Sequence, residues 1–173
     1  MDFVIQQERI WQPVHTKPRC EKKFLSFCEH YIIDVYLPLK VHLNTVRNKV
    51  MKSMVPMFPG YAFACLDSNM KNTLNLTGTV VNYINLNRGQ EASLIEDLNS
   101  IVILEQLQSE SDSLIVAPEL KPGKEVSIKS GPLRGLTGVI EKRKGVHRVI
   151  VNVEIISQSA AMELDACDVE LEY

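Results

Sequence analysis

Between Val126 and Ile140 the chain reads VSIKSGPLRGLTGVI, with three glycines set between two runs of β-forming residues. Glycine takes up positive φ, or lets two backbones approach closely, without steric cost, so this punctuation predicts tight turns and excludes a helix. Val126 and Ile128 before it, and Val139 and Ile140 after it, suit half-buried strands. Short β-rich runs over 124–128, 138–142, 148–156, 161–164 and 169–171 supply about five strands with regular turn signals. That pattern predicts a small barrel in the last third of the chain. Val149, Val151, Val153 and Ile155 alternate as strand positions do.

The first two thirds mix helix and strand signals. Residues 9–16, RIWQPVHT, read as a short strand, with Trp11 and Val14 apolar and Pro13 suited to an edge. Pro18 fits the first turn of a helix whose apolar stripe is Cys20, Phe24, Phe27, Cys28 and Tyr31, with Arg19, Lys22, Lys23 and Ser26 opposite. Ile32–Leu39 is rich in β-formers, and Lys40–Lys52 is basic, acid-free and reads as a hairpin or loop. Pro59-Gly60 is a turn, followed by a strand over Tyr61–Leu66. A short helix over 69–76, a strand over 80–86 and a turn at Asn87-Arg88-Gly89 follow. Ser93 and Glu96 have capping-box spacing, which predicts a helix over 94–107. The serine-rich stretch 108–119 reads as a linker, the seam between a mixed first part and an all-β second part.

Composition sets limits on function. A chain of 173 residues with 45% apolar content and net charge −2 is an ordinary globular protein of one medium or two small domains. No apolar run reaches bilayer length, and MDFVIQQERI lacks the basic-then-apolar pattern of a secretion signal, so a cytoplasmic protein without membrane contact is expected. Cys20, Cys28, Cys65 and Cys167 are scattered and read as free thiols rather than a zinc site or disulfide frame. His15, His30, His42 and His147 lack metal-ligand spacing, the glycine run is not a P-loop, and no carboxylates are paired for acid–base work. These features point away from an enzyme and from any metal or cofactor. Charge is unevenly spread, with net +4 over 1–65, −5 over 66–117 and −1 over 118–173. The basic first segment suggests an anionic partner, with Lys22, Lys23 and the 40–52 stretch as candidate phosphate contacts. Trp11, Phe58, Tyr61 and Phe63, near presumed strand ends, are either core or a docking patch.

Met57-Phe58-Pro59-Gly60-Tyr61-Ala62-Phe63 resembles the F-P-G-Y-V-x-V segment of the NusG family of transcription elongation factors, and Trp11 resembles the tryptophan near that family's start. Residues 121–171, from KPGKEVSIKSGPLRGLTGVIE to MELDACDVEL, resemble its C-terminal KOW module. TKPRCEKK (Thr16–Lys23) and YLPL (Tyr36–Leu39) are similar to UpxY-type paralogues, antiterminators of long capsular-polysaccharide operons. The resemblance implies an α+β fold: an antiparallel N-terminal sheet with flanking helices over 9–107 (the NGN domain), a linker over 108–119, and an SH3-like barrel over 120–173 (KOW). It implies a monomeric, non-enzymatic factor without cofactor that lays an apolar surface on the clamp helices of RNA polymerase and suppresses pausing. Trp11, Phe58, Pro59, Tyr61 and Phe63 would form that surface or its support. Lys17, Arg19, Lys22 and Lys23 would face non-template DNA. Leu133, Arg134 and Leu136, at the tip of the barrel turn, would receive ribosomal protein S10 or the termination factor Rho. Where specialised members carry a threonine-rich loop toward the polymerase's other pincer, Met70-Lys71-Asn72-Thr73 holds one threonine. Two alternatives stay open: a general NusG-type elongation and termination factor, and a ribosomal KOW protein that binds RNA, which the near-neutral charge disfavours.

Overall fold

The computed structural model describes residues 3–46, 49–107, 115–118, 124–128, 134–143, 146–164 and 171–172. The elements run β1 (Ile10–Thr16), α1 (Glu21–His30), β2 (Val35–Tyr36), β3 (Leu39–Val46), β4 (Lys49–Pro56), β5 (Tyr61–Leu66), α2 (Ser68–Asn75), β6 (Val80–Tyr83) and α3 (Arg88–Leu107). They continue β7 (Ile115–Pro118), β8 (Lys124–Ile128), β9 (Thr137–Arg143), β10 (Val146–Val153), a 3-10 turn (Glu154–Ile156), β11 (Gln158–Leu164) and β12 (Leu171–Glu172). The fold is α+β, and the chain divides into two compact units: Met1–Leu39 with Met54–Glu96, and Lys40–Ser53 with Asp97–Tyr173.

The sheet of the first unit has the order β2-β5-β1-β6. β1 and β5 pair antiparallel from Ile10↔Leu66 to His15↔Tyr61. Alternation along a strand sends successive side chains to opposite faces. Val14, Ala62, Ala64 and Leu66 therefore share one face, where they pack with Phe24 and Cys28 of α1 and Leu74 of α2. The small side chains of Ala62 and Ala64 leave room for the helices to lie close. Trp11, Phe63 and Cys65 occupy the opposite face and are also buried. Burial pushes the Cys28 thiol up to about 12, with Glu29 adding to the shift.

The expected helical stripe holds through Phe24 and Cys28 but not at Tyr31, which is exposed. The helix stops at His30, and Ile32, 88% exposed, follows in the left-handed region at φ +54. Ile32–Leu39 accordingly yields only the two-residue β2 before β3 begins. The basic stretch is a hairpin, β3 against β4. Helix α2 is capped by Asp67, whose Oδ1 accepts from the Met70 N–H at 2.9 Å.

Helix α3 begins a full turn and a half before the expected start. Asn87 Oδ1 accepts from the Gln90 N–H at 2.9 Å, and Gln90 Oε1 accepts from the Asn87 N–H at 3.0 Å. This reciprocal pair is the capping box, and it converts the expected turn at 87–89 into the helix start. Ser93, expected as the cap, lies inside the helix and donates to the Gly89 carbonyl.

In the second unit an antiparallel sheet has the order β12-β8-β9-β10-β11-β7. Val149, Val151, Val153, Ala160 and Met162 are buried there, as are Leu98, Ile101 and Leu104 of the second half of α3. Ile155 leaves the strand alternation for the 3-10 turn, which ends on Ser157 in a left-handed conformation. The described part of the serine-rich stretch is a strand, β7, which pairs with β11 from Gln158↔Pro118 to Ala161↔Ile115. The glycines divide their work. Gly135 turns the chain at φ +88, whereas Gly138 lies within β9, where a Cβ would sit 2.5 Å from the Ile150 carbonyl oxygen. Gly131 lies outside the described residues. No helix among the described residues is long and apolar enough to cross a membrane.

Candidate functional site

The Phe58-Pro59-Gly60 turn joins β4 to β5 and is fastened from three directions. The Tyr61 N–H closes it onto the Phe58 carbonyl at 3.0 Å, and the Thr16 N–H donates to the Gly60 carbonyl at 2.8 Å. The Gly60 N–H donates to Glu21 Oε1 of α1 at 2.7 Å. Gly60 has φ +84, a backbone conformation that disfavours any residue with a Cβ. Just before the turn, the Met57 N–H donates to the Pro38 carbonyl at 2.7 Å. The result is a rigid, exposed proline held between a strand and a helix.

Burial separates the five apolar candidates. Trp11, Phe58 and Phe63 are buried, with Phe58 and Phe63 in edge contact at 6.3 Å and Trp11 in edge contact with Phe3 at 5.0 Å. In this conformation all three are packing residues. Pro59 is exposed and Tyr61 is half-buried. His15, paired with Tyr61 across β1 and β5, stacks on its ring at 5.1 Å with the planes 19° apart. A Cβ on Gly60 would lie 3.5 Å from the same imidazole. Pro59, Gly60, Tyr61 and His15 thus form one contiguous, partly apolar surface. His15 is not among the site residues expected from the sequence, because histidine spacing bears only on metal binding; its alternation with Trp11 and Pro13 along β1 is the available signal.

A buried charge sits at the other end of β1, beside Trp11. Glu91 is fully buried, and its Oε1 accepts from the Trp11 N–H at 2.9 Å. Its other oxygen pairs with Arg88 Nη1 at 2.7 Å. The same guanidinium donates to the carbonyls of Arg9 and Gln7 at 3.0 and 2.6 Å. Arg88 therefore ties the segment before β1 to the start of α3. Nothing in the sequence marked this pair, because its partners are about 80 residues apart.

The basic candidates Lys17, Arg19, Lys22 and Lys23 are all exposed. Lys22 Nζ donates to the Met54 carbonyl at 2.7 Å, which ties α1 to the end of β4, and Lys23 Nζ lies 5.7 Å from the Phe27 ring centroid. Lys17 and Arg19 sit in the β1–α1 connection, where Arg19 takes φ +62. Of the barrel-turn candidates, Arg134 is exposed and Leu136 is fully buried, so Leu136 packs rather than projects. Leu133 lies outside the described residues.

A cleft of about 350 Å³ opens beside α2, lined in part by Gln12, Asp67, Lys71 and Asn85. Lys71 Nζ is engaged by Asn85 Oδ1 at 2.7 Å, and Asp67 is the α2 cap. Among the described residues no group of three His, Cys, Asp or Glu could hold a metal ion. The most firmly fastened exposed arrangement described is the turn with its aromatic flank.

Residues 9–104 match the family model described as "Transcription termination factor nusG". No curated protein sequence matches the chain. Among solved structures the chain is similar to one from Thermotoga maritima titled "Domain interaction in Thermotoga maritima NusG", at 19% identity and a TM-score of 0.49, with 94% of this chain and 96% of that chain covered.

Proposed function

The chain belongs to the NusG family of transcription factors, and on that premise we propose that it is an elongation and antitermination factor docking on the clamp helices of RNA polymerase. The observation that carries this reading is the fastened Phe58-Pro59-Gly60 turn, which presents Pro59 beside the stacked His15–Tyr61 pair. Binding needs no reaction chemistry. A rigid apolar surface loses little conformational entropy on docking, and central aromatics carry most of the energy in such contacts. Trp11, Phe58 and Phe63 support the domain from within its core, while Pro59, Tyr61 and His15 make the contact.

In this reading residues 9–107 are the polymerase-binding NGN domain, 108–119 the linker and 120–173 the KOW module. Lys17 and Arg19, exposed in the β1–α1 connection, face non-template DNA, with Lys23 beside them. Arg134 at the exposed barrel turn belongs to the surface that receives ribosomal protein S10 or Rho. The UpxY-like segments at Thr16–Lys23 and Tyr36–Leu39 favour an operon-specific factor acting on capsular-polysaccharide genes. The family model's description as a termination factor favours a second reading, a general factor that aids termination.

Reconstituted transcription with the cognate polymerase, on templates carrying a terminator with and without a capsular-operon leader, separates these readings. Increased read-through that depends on the leader supports the specialised antiterminator. Leader-independent termination supports the general factor. No change in pausing, read-through or termination contradicts both.

A further inference from the structure

We propose that the β3–β4 hairpin is a second protein-docking element, built to enter an apolar groove rimmed by Asp and Glu on a polypeptide of the elongation complex. This rests on the polymerase-docking reading above. Residues 39–56 carry four Lys or Arg and no Asp or Glu. Ten large apolar side chains are exposed among the described residues, and four of them, Leu43 (42%), Val50 (65%), Met51 (59%) and Met54 (43%), fall within this one hairpin. Single exposed apolar residues are ordinary, but their concentration on one short ribbon is not.

The geometry orders them. The Ser53 hydroxyl donates to the His42 carbonyl at 3.3 Å, which places residue 53 beside residue 42. With side chains alternating along each strand, Leu43, Thr45, Val50 and Lys52 then share one face, and His42, Asn44, Lys49 and Met51 the other. Each face thus combines an apolar centre with a cation. Phosphate backbone gains nothing from Leu43 and Val50, since its contacts are ionic and hydrogen-bonded. An apolar groove with an acidic rim satisfies both kinds of side chain at once. An 18-residue ribbon offers less surface than a stand-alone interface of about 800 Å² per partner requires, so it supplements the Pro59–Tyr61 contact rather than replacing it.

The test places the photocrosslinker p-benzoylphenylalanine at position 50, and in a separate protein at position 59, in the full chain bound to reconstituted elongation complexes. A crosslink from position 50 to a polymerase polypeptide is expected. In parallel, Leu43→Ser with Val50→Ser should weaken binding to the complex about tenfold, and Lys49→Ala with Lys52→Ala should flatten its salt dependence, with circular dichroism unchanged in both. A crosslink from position 50 to nucleic acid, or none while position 59 crosslinks, overturns the hairpin proposal and leaves the docking reading standing. A crosslink from 50 but not from 59 supports the hairpin and removes the Pro59 surface. Unchanged affinity in the folded Leu43→Ser/Val50→Ser protein also overturns the hairpin proposal.

Discussion

The carboxylate of Glu21, the first residue of the first helix, accepts the backbone N–H of Gly60 at 2.7 Å and so fixes the tip of the Phe58-Pro59-Gly60 turn to α1. Glu21 is 6% exposed, so this is a shielded, charge-assisted bond between segments 39 residues apart. Glu21→Ala leaves the Gly60 donor without its partner and is expected to cost about 1–3 kcal/mol. In a chain of this size that is a fall of roughly 2–4 °C in Tm per kcal/mol. Glu21→Gln keeps an acceptor and should lose less. Thermal unfolding followed by circular dichroism checks both.

Gly60→Ala tests the backbone rather than the space around it. The added Cβ would meet the His15 ring at 3.5 Å and the Thr16 carbonyl oxygen at 4.0 Å, both ordinary contacts, but φ is +84. The expected cost is about 1–2 kcal/mol from the left-handed conformation alone. Gly138→Ala is the converse case, because its Cβ would clash with the Ile150 carbonyl oxygen at 2.5 Å. Loss of cooperative unfolding of the second unit is expected for Gly138→Ala and not for Gly60→Ala, as read by urea denaturation.

Arg88→Ala strips the partner from the fully buried Glu91 and frees the carbonyls of Gln7 and Arg9. Removing the half-exposed Arg88 from the buried Glu91 leaves a carboxylate charge short of its partner, and a loss of about 2–3 kcal/mol is expected, below the figure for a fully buried pair. The check is the urea midpoint of the Arg88→Ala protein against that of wild type. The double variant Arg88→Ala/Glu91→Gln should recover part of that loss, which a double-mutant cycle measures directly.

Much of the architecture was legible in the chain, and the misses have physical causes. Tyr61–Leu66 shows itself by alternation, and Asn69–Leu76 by helical character, because those signals are local. The start of α3 was misplaced because Ser93–Glu96 and Asn87–Gln90 both have capping-box spacing, and only the structure shows which pair is reciprocal. β7 was hidden because its partner strand lies about 40 residues away and a serine-rich approach masks it. At the candidate surface, position near presumed strand ends marks Phe58, Tyr61 and Phe63 as large side chains but not which of them is covered. That depends on what packs on the sheet from elsewhere in the chain, and so Phe58 and Phe63 proved buried while His15 joined Tyr61 at the surface.

The thiols give a pH prediction with a definite sign. Burial raises the Cys28 thiol to about 12 and the Cys65 thiol to about 11, against an ordinary value of 9.0. Between pH 9 and those values the unfolded chain loses thiol protons that the folded chain keeps, so stability falls as pH rises through that window. Below pH 9 both states hold the protons, and these groups contribute no pH dependence. Alkylation of the native protein at pH 8 should modify the half-buried Cys20 well before Cys28 or Cys65, all three becoming equivalent in denaturant. Mass spectrometry of the peptides reads this out.

The central claim is that the surface around Pro59 and Tyr61 docks on RNA polymerase. Equilibrium binding of the full chain to the cognate core polymerase tests it most directly, comparing wild type with Tyr61→Ala/His15→Ala, a pair of half-buried residues whose removal spares the buried Phe58 and Phe63. The account predicts at least a tenfold loss of affinity, about 1.4 kcal/mol or more, with thermal unfolding still cooperative. Unchanged affinity in the folded double variant would contradict it.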